Sequence, residues 1–272
     1  MNSQFDLIVI GDSKKGNEAV KYIAATSVAI KIAFISRDFK STTTHNFLNV
    51  DYIKDEVVLV DYKNRLFGCY LKNGDRIYST HLIIASGLSY APLLVNNKQV
   101  PNVFNTTDDI SKTAKNLQAV VIGKTDSDVK FATTVAKKYK YVYFCTESLT
   151  PNITDTNMKK LVNIENLVVL PNASIKNFFI NEGNLATIEL DNYSTLTCSA
   201  VFAKTAATPE VSFIPENIIA RDADKYLMTA SNLESIKVPK CFATGNCTRK
   251  NTKKMNLAMY ETILKDFGGG KT

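Results

Sequence analysis

Apolar residues along this chain fall into short runs separated by polar, glycine-marked turns. The first run, Asp6-Leu-Ile-Val-Ile10, is continuous and of strand length. Gly11-Asp-Ser-Lys-Lys-Gly16 follows, then Asn17 to Ala25, where Ala19, Val20, Ile23 and Ala24 recur at helical spacing. Ile30 to Ile35 reads as the next strand. The order returns with strand Ala119 to Ile122, turn Gly123 to Asp128, helix Val129 to Lys138 and strand Tyr141 to Cys145. Two strand–turn–helix–strand units predict an α/β fold with parallel sheets.

Between the units the period changes to that of antiparallel strands. Val57 to Tyr62 and Phe67 to Leu71 precede a hairpin turn at Asn73-Gly74-Asp75, then Arg76 to Ser79. Leu82-Ile-Ile-Ala-Ser-Gly87 is a further strand. After the second unit the same grammar recurs. Leu167 to Leu170 is a strand, Ser174 to Ile180 and Ala186 to Leu190 flank a turn at Asn181 to Asn184, and Ala200 to Ala203 follows.

The turns carry the candidate chemistry. In a dinucleotide-binding turn the first glycine leaves the strand sharply and the second admits the pyrophosphate. The third lets helix and strand pack closely, and the phosphate meets free N–H groups at the helix start. The first copy keeps Gly11 and Gly16 with Ser13 between them, small and able to donate a hydrogen bond. The second keeps Gly123 alone, with Thr125 and Asp128 at the other two places. A unit of this shape that binds no nucleotide is the alternative in both cases.

Composition narrows the function classes. Of 272 residues, 45% are hydrophobic and 22% charged, the balance of a globular domain. The net charge of +7 comes from scattered lysines without a basic run, so a solvated surface is expected rather than nucleic-acid binding. No apolar stretch nears the roughly 20 residues of a membrane helix, and Met1 to Asp6 has no leader pattern, so a cytoplasmic protein without a membrane partner is expected. Five cysteines (Cys69, Cys145, Cys198, Cys241, Cys247) without a CxxC pair suggest reduced thiols. His45 and His81 stand apart, so no metal site is expected. Gly268-Gly-Gly-Lys-Thr272 imitates a P-loop but lacks the strand before it, and reads as a tail.

The order of pieces resembles the thioredoxin-reductase-like branch of the pyridine-nucleotide flavoproteins along nearly the whole chain. Ile83-Ile-Ala-Ser86-Gly87 looks like that family's strand ending in Ala-Thr-Gly. Val238 to Asn246 looks like its C-terminal strand ending in Gly-Asp, which binds the ribityl chain of FAD; here the pair is Gly245-Asn246. The helix from Met255 to Lys265 resembles the one whose N-terminus points at the flavin ring.

The resemblance implies two Rossmann-like three-layer dinucleotide-binding domains, the second inserted into the first. The FAD-type domain would comprise residues 1–106 and 222–272, and the NAD-type domain residues 107–221, with crossings at Thr106 to Asp109 and Arg221 to Asp224. It also implies an FAD-dependent oxidoreductase, a homodimer, and a small redox protein as an acceptor.

Departures from the pattern qualify the chemistry. The redox CxxC is missing from the inserted domain, which excludes dithiol exchange of the thioredoxin-reductase type. The segment between Ile35 and Val57 is shorter than the family's, and His45 within it could face the flavin. Ser36 stands where an acid would hold the adenosine ribose, and Asp38 is the substitute. The arginine pair for a 2′-phosphate falls at Glu147 and Ser148; a glutamate there disfavours NADPH and would suit NADH. Cys247, next to Gly245-Asn246, is the candidate catalytic thiol, with a buried and idle cysteine as the favoured alternative. Two readings of function stand: an FAD-dependent oxidoreductase passing electrons from NADH without a dithiol, or a degenerate member acting as a binding or scaffold protein.

Overall fold

The computed structural model describes residues 2–39, 47–106, 117–148, 151–192, 194–249 and 251–268. His45 and the tail after Gly268 lie outside the described residues. The chain opens with β1 (Asn2–Ile10), α1 (Lys14–Thr26), β2 (Ile32–Ser36) and β3 (Val50–Lys54). An antiparallel arm, β4 (Val57–Lys63) and β5 (Leu66–Leu71), precedes the long β6 (Arg76–Ile84). Short strands β7 (Leu88–Tyr90), β8 (Leu94–Val95), β9 (Lys98–Gln99) and β10 (Val103–Phe104) lead to β11 (Gln118–Ile122), α2 (Asp126–Ala136) and β12 (Tyr141–Cys145). Then come α3 (Asp155–Val162), β13 (Leu167–Leu170), β14 (Ile175–Asn181), β15 (Asn184–Leu190), β16 (Thr195–Thr197) and β17 (Ala200–Ala203). β18 (Ala207–Pro209), β19 (Cys241–Ala243) and α4 (Lys253–Asp266) follow.

The chain forms two compact units: Met1–Ser89 with Thr208–Thr272, and Tyr90–Ala207. Both divisions come earlier in the chain than the sequence pattern suggests. The apolar side chains explain why. Val95 and Val100 are buried with Val120 and Val201 of the second unit, while Val211, Phe213 and Ile214 are buried with Ile8 and Leu82 of the first. Arg221 to Asp224 is a tight turn rather than a crossing: Arg221 pairs with Leu227, and the Asp222 N–H donates to the Tyr226 carbonyl at 2.9 Å.

In the first unit the sheet order is β3-β2-β1-β6-β5-β4, with β19 also on β6. β1, β2, β3, β6 and β19 pair in parallel, and β4 and β5 join antiparallel. Period-two alternation sends the apolar run of β1 to both faces. Leu7 and Val9 pack with Ala19 and Ile23 of α1 and with Met259 and Ile263 of α4. Ile8 and Ile10 pack on the other face, against Val60, Phe67, Ile214 and Ile218. β6 is one continuous strand where the sequence suggested two, because its inner half supplies Leu82, Ile83 and Ile84, all with no solvent exposure, to both faces.

In the second unit β10-β17-β11-β12-β13 is a parallel sheet. One face carries α2 and α3 through Val129, Ala132, Val135 and Leu161. The other is covered by the β14–β15 hairpin through Leu185, Ile188 and Leu190. Glu182 and Gly183 at the hairpin tip both have positive φ, 49° and 78°, as a type I′ turn requires. The strand β3 and helix α3 were not legible from periodicity, since both are short and only Val50 and Leu161 in them are buried.

Candidate functional site

The first glycine-rich turn lies where β1, β2 and β6 end together. The Gly11 N–H donates to the Ile35 carbonyl at 2.9 Å, and the Ala85 N–H donates to the Ile10 carbonyl at 2.8 Å. Gly11 has φ +99°, and a Cβ there would lie 2.5 Å from the Ala85 carbonyl oxygen. A Cβ on Gly16 would lie 2.0 Å from the Gly11 carbonyl oxygen. Both glycines are therefore demanded by the turn packing on itself and on β6, before any ligand is considered. Ser13 caps α1: its Oγ accepts from the Gly16 N–H at 3.2 Å. The Asn17 side chain ties the turn down by donating to the Asp12 carbonyl at 2.9 Å. Asp12 itself is buried.

The strand end formed by β19 comes beside this turn. Thr244 N–H donates to the Ile84 carbonyl at 2.9 Å, continuing the pairing of β19 with β6. Gly245 has φ +79°, and a Cβ there would be 3.5 Å from Lys15 Cβ and 3.6 Å from Ser13 Oγ. Asn246 is exposed, and Ser86 and Gly87 follow β6 at the same end of the sheet. The Ser86 hydroxyl oxygen is buried beside the Cys247 thiol and makes no hydrogen bond of ordinary geometry. So Gly11, Ser13, Gly16, Ser86, Gly87, Gly245 and Asn246 gather at one end of the first unit's sheet.

A polar network that the sequence did not reveal holds α4 against this end. Thr244 Oγ1, fully buried, donates to Asn256 Oδ1 at 2.6 Å and accepts from Asn251 Nδ2 at 2.7 Å. Asn256 Nδ2 donates to Asn251 Oδ1 and, at 2.7 Å, to the Thr252 carbonyl. Thr252 caps the helix by accepting from the Met255 N–H at 3.2 Å. The available signal was an asparagine within the stripe Asn256, Met259, Tyr260, Ile263, whose spacing otherwise marks a buried apolar face. Met255 is half-buried at the helix start.

Two expected contributors are engaged within the protein. Asp38, proposed for a ribose, is 80% exposed and pairs with Lys54 Nζ at 2.9 Å. Cys247 is fully buried, its Sγ donating to the Thr244 carbonyl at 3.1 Å, and burial pushes its thiol up to about 11. Such a thiol is protonated at neutral pH and lacks the thiolate character of a reactive cysteine. The favoured alternative, a buried cysteine, matches this geometry. All five cysteines are buried and free. A thiol-reactive dye added to the native protein is expected to label none of them within minutes and all five after denaturation. Rapid native labelling at Cys247 would contradict this.

In the second unit the turn is built differently. Gly123 is pressed between Asp128 and Phe144, and a Cβ on it would lie 2.6 Å from Asp128 Cβ and 2.7 Å from the Phe144 ring. Thr125 precedes α2 as its N-cap, and the Asp128 carboxylate folds back over the turn. Asp128 Oδ2 accepts from the Lys124 N–H at 3.0 Å, the Thr125 N–H at 3.0 Å and the Thr125 hydroxyl at 2.8 Å. Glu147 follows β12 and is exposed, while Thr146 before it is buried.

The fold and this convergence of strand ends agree with a comparison of the sequence against family profiles. The profile described as pyridine nucleotide-disulphide oxidoreductase matches residues 5–262. The chain belongs to the pyridine nucleotide-disulphide oxidoreductase family. It is accordingly a flavin-dependent oxidoreductase, and binding of FAD and NAD(P) is the chemistry implied by the family. No curated protein matches the sequence significantly. Among solved structures, thioredoxin reductase from Lactococcus lactis superposes with a TM-score of 0.67 at 14% identity, covering 97% of this chain and 98% of that one. Thioredoxin reductase from T. acidophilum gives 0.66 at 14% identity, with 97% and 99% covered. The HOCl-induced flavoprotein disulfide reductase of Escherichia coli gives 0.66 at 17% identity, covering 99% of this chain and 72% of that one. At such identities the likeness is one of fold, two Rossmann-like domains in mixed α/β form. No helix among the described residues is long and apolar enough to cross a membrane.

Proposed function

We propose that the first unit of this oxidoreductase holds FAD and that electrons leave the flavin without passing through a dithiol of this chain. The observation that carries the reading is the gathering of the Gly11–Gly16 turn, the Ser86 hydroxyl and the Gly245-Asn246 strand end. These residues fit the group. The amides of Lys14 and Lys15 open α1 without intrahelical acceptors, and the helix dipole adds positive charge where a pyrophosphate would rest. Ser86 and Asn246 offer hydroxyl and amide partners to a polyol chain, and the start of α4 at Lys253, with Met255 in its first turn, brings a second helix N-terminus. Bound there, FAD supplies a reversible two-electron centre.

The absence of CxxC and the burial of every cysteine support transfer from the flavin to an external acceptor, for which a small redox protein is our expectation, as is a homodimer. Of the two nicotinamide nucleotides, NADH suits this chain better, because Glu147 would repel a 2′-phosphate. The second unit's turn does not fit the pyrophosphate of either one, since the Asp128 carboxylate folds back over it onto the Lys124 and Thr125 amides, so no step is assigned to that unit. This favours a chain in which one nucleotide site is retained and the other lost. The purified protein is expected to be yellow and to release FAD, about one per chain, on denaturation. A colourless protein that leaves the fluorescence of added FAD unquenched would refute the proposal.

A further inference from the structure

The turn of the second unit contains its own anion. A Rossmann turn binds pyrophosphate through successive backbone N–H groups at the start of its helix. Here the N–H groups of Lys124 and Thr125 and the Thr125 hydroxyl all converge on Asp128 Oδ2, at 3.0, 3.0 and 2.8 Å. The other oxygen, Asp128 Oδ1, is 3.0 Å from Lys204 Nζ, directly after β17. Lys204 also donates to Ser127 Oγ at 2.6 Å and lies 5.6 Å from the centre of the Phe131 ring. Asp128 is 6% exposed. Burial alone would raise its carboxyl, but the Lys124 amide, Thr125 and Lys204 outweigh that and hold it below the usual range.

The arrangement follows from one position in the turn. In the first unit that position is Gly16, and no side chain reaches back. In the second it is Asp128, whose short side chain returns to the amides three and four residues earlier. Neighbouring groups complete the closure. Asp126 accepts from the Thr154 N–H at 2.8 Å, joining the start of α2 to the N-cap of α3. Asn105 Nδ2 donates to the Ala203 carbonyl at 2.7 Å and to Thr205 Oγ1 at 2.9 Å, at the end of β17. A pyrophosphate would have to displace a carboxylate already matched in charge by Lys204, and would meet that carboxylate's repulsion while doing so.

We propose that Asp128, neutralised by Lys204, is a built-in substitute for a dinucleotide phosphate, so that the second unit keeps the nucleotide-binding fold and takes no nicotinamide nucleotide at this turn. The claim is independent of flavin binding in the first unit, which the visible spectrum reports separately.

Amide NMR spectra of the full chain decide it. Millimolar NADH, NADPH or NAD⁺ is expected to leave the amide signals of residues 124–127 of the wild-type protein in place, and a saturable shift of any of these amides would overturn the proposal. Asp128→Ser removes the carboxylate and keeps Lys204, so inorganic phosphate is expected to shift the Lys124 and Thr125 signals. Should that variant fold and its amides stay unmoved by phosphate, Asp128 is not what closes the turn and the proposal fails. Should it not fold, the wild-type titration still separates a closed turn from an open one.

Discussion

Gly16→Ala is expected to unfold the first unit or leave it without flavin, although alanine is the better helix former. The helix propensity gained is about 1 kcal/mol. Against it stands a Cβ placed 2.0 Å from the Gly11 carbonyl oxygen, backbone that cannot swing aside. Relief requires α1 to move away from β1 by about an ångström, and Ala19 and Ile23 on α1 are packed with no solvent exposure. Overpacking of this kind costs roughly 3 kcal/mol or more, a large part of the 5–15 kcal/mol that holds a domain together. Gly11→Val fails for a related reason. Its φ of +99° and the Ala85 carbonyl at 2.5 Å exclude a side chain, so the loss comes from the protein's own backbone rather than from crowding of a phosphate. Chemical denaturation and flavin content measure both effects. A Gly16→Ala protein of wild-type stability with full flavin would show that the turn is looser than described.

Asn256→Ala is the second large effect. It removes the acceptor of the fully buried Thr244 hydroxyl and a donor to Asn251 and the Thr252 carbonyl. Stranding buried polar groups costs about 1–3 kcal/mol each, and the network couples them. We expect about 3 kcal/mol of lost stability, or roughly 6–12 °C in Tm for a domain of 150–250 residues. Because Thr244 immediately precedes Gly245, flavin affinity should fall too. Thr252→Ala, which loses only the helix cap, should cost about 1 kcal/mol and serves as the comparison. Equal effects of the two changes would mean that the network adds nothing beyond helix capping.

Much of this fold was legible because continuous apolar runs and glycine turns are local signals. Asp6 to Ile10, Tyr141 to Cys145 and Ala200 to Ala203 lie within or match strands of the structure, and each repeat unit has its expected order. The junctions between units were less legible. Their positions depend on which core receives residues such as Val95 or Phe213, and this is a tertiary choice. For the site, Gly11, Gly16 and Gly245 announced themselves by type, since few residues tolerate such backbone or such contact. The roles of Asp128 and Asn256 did not, because each acts through a partner remote in sequence or hidden within a helix stripe. Lys204 lies far along the chain from Asp128, beyond six further strands and a helix, and nothing in the local pattern joins them.

Hydrogen–deuterium exchange of the full chain with and without FAD tests the central claim most directly. FAD is expected to slow exchange at residues 12–16 and 245–247 and to leave residues 123–128 unchanged. Failure to protect residues 12–16, or protection at 123–128 instead, would contradict the assignment of the flavin to the first unit.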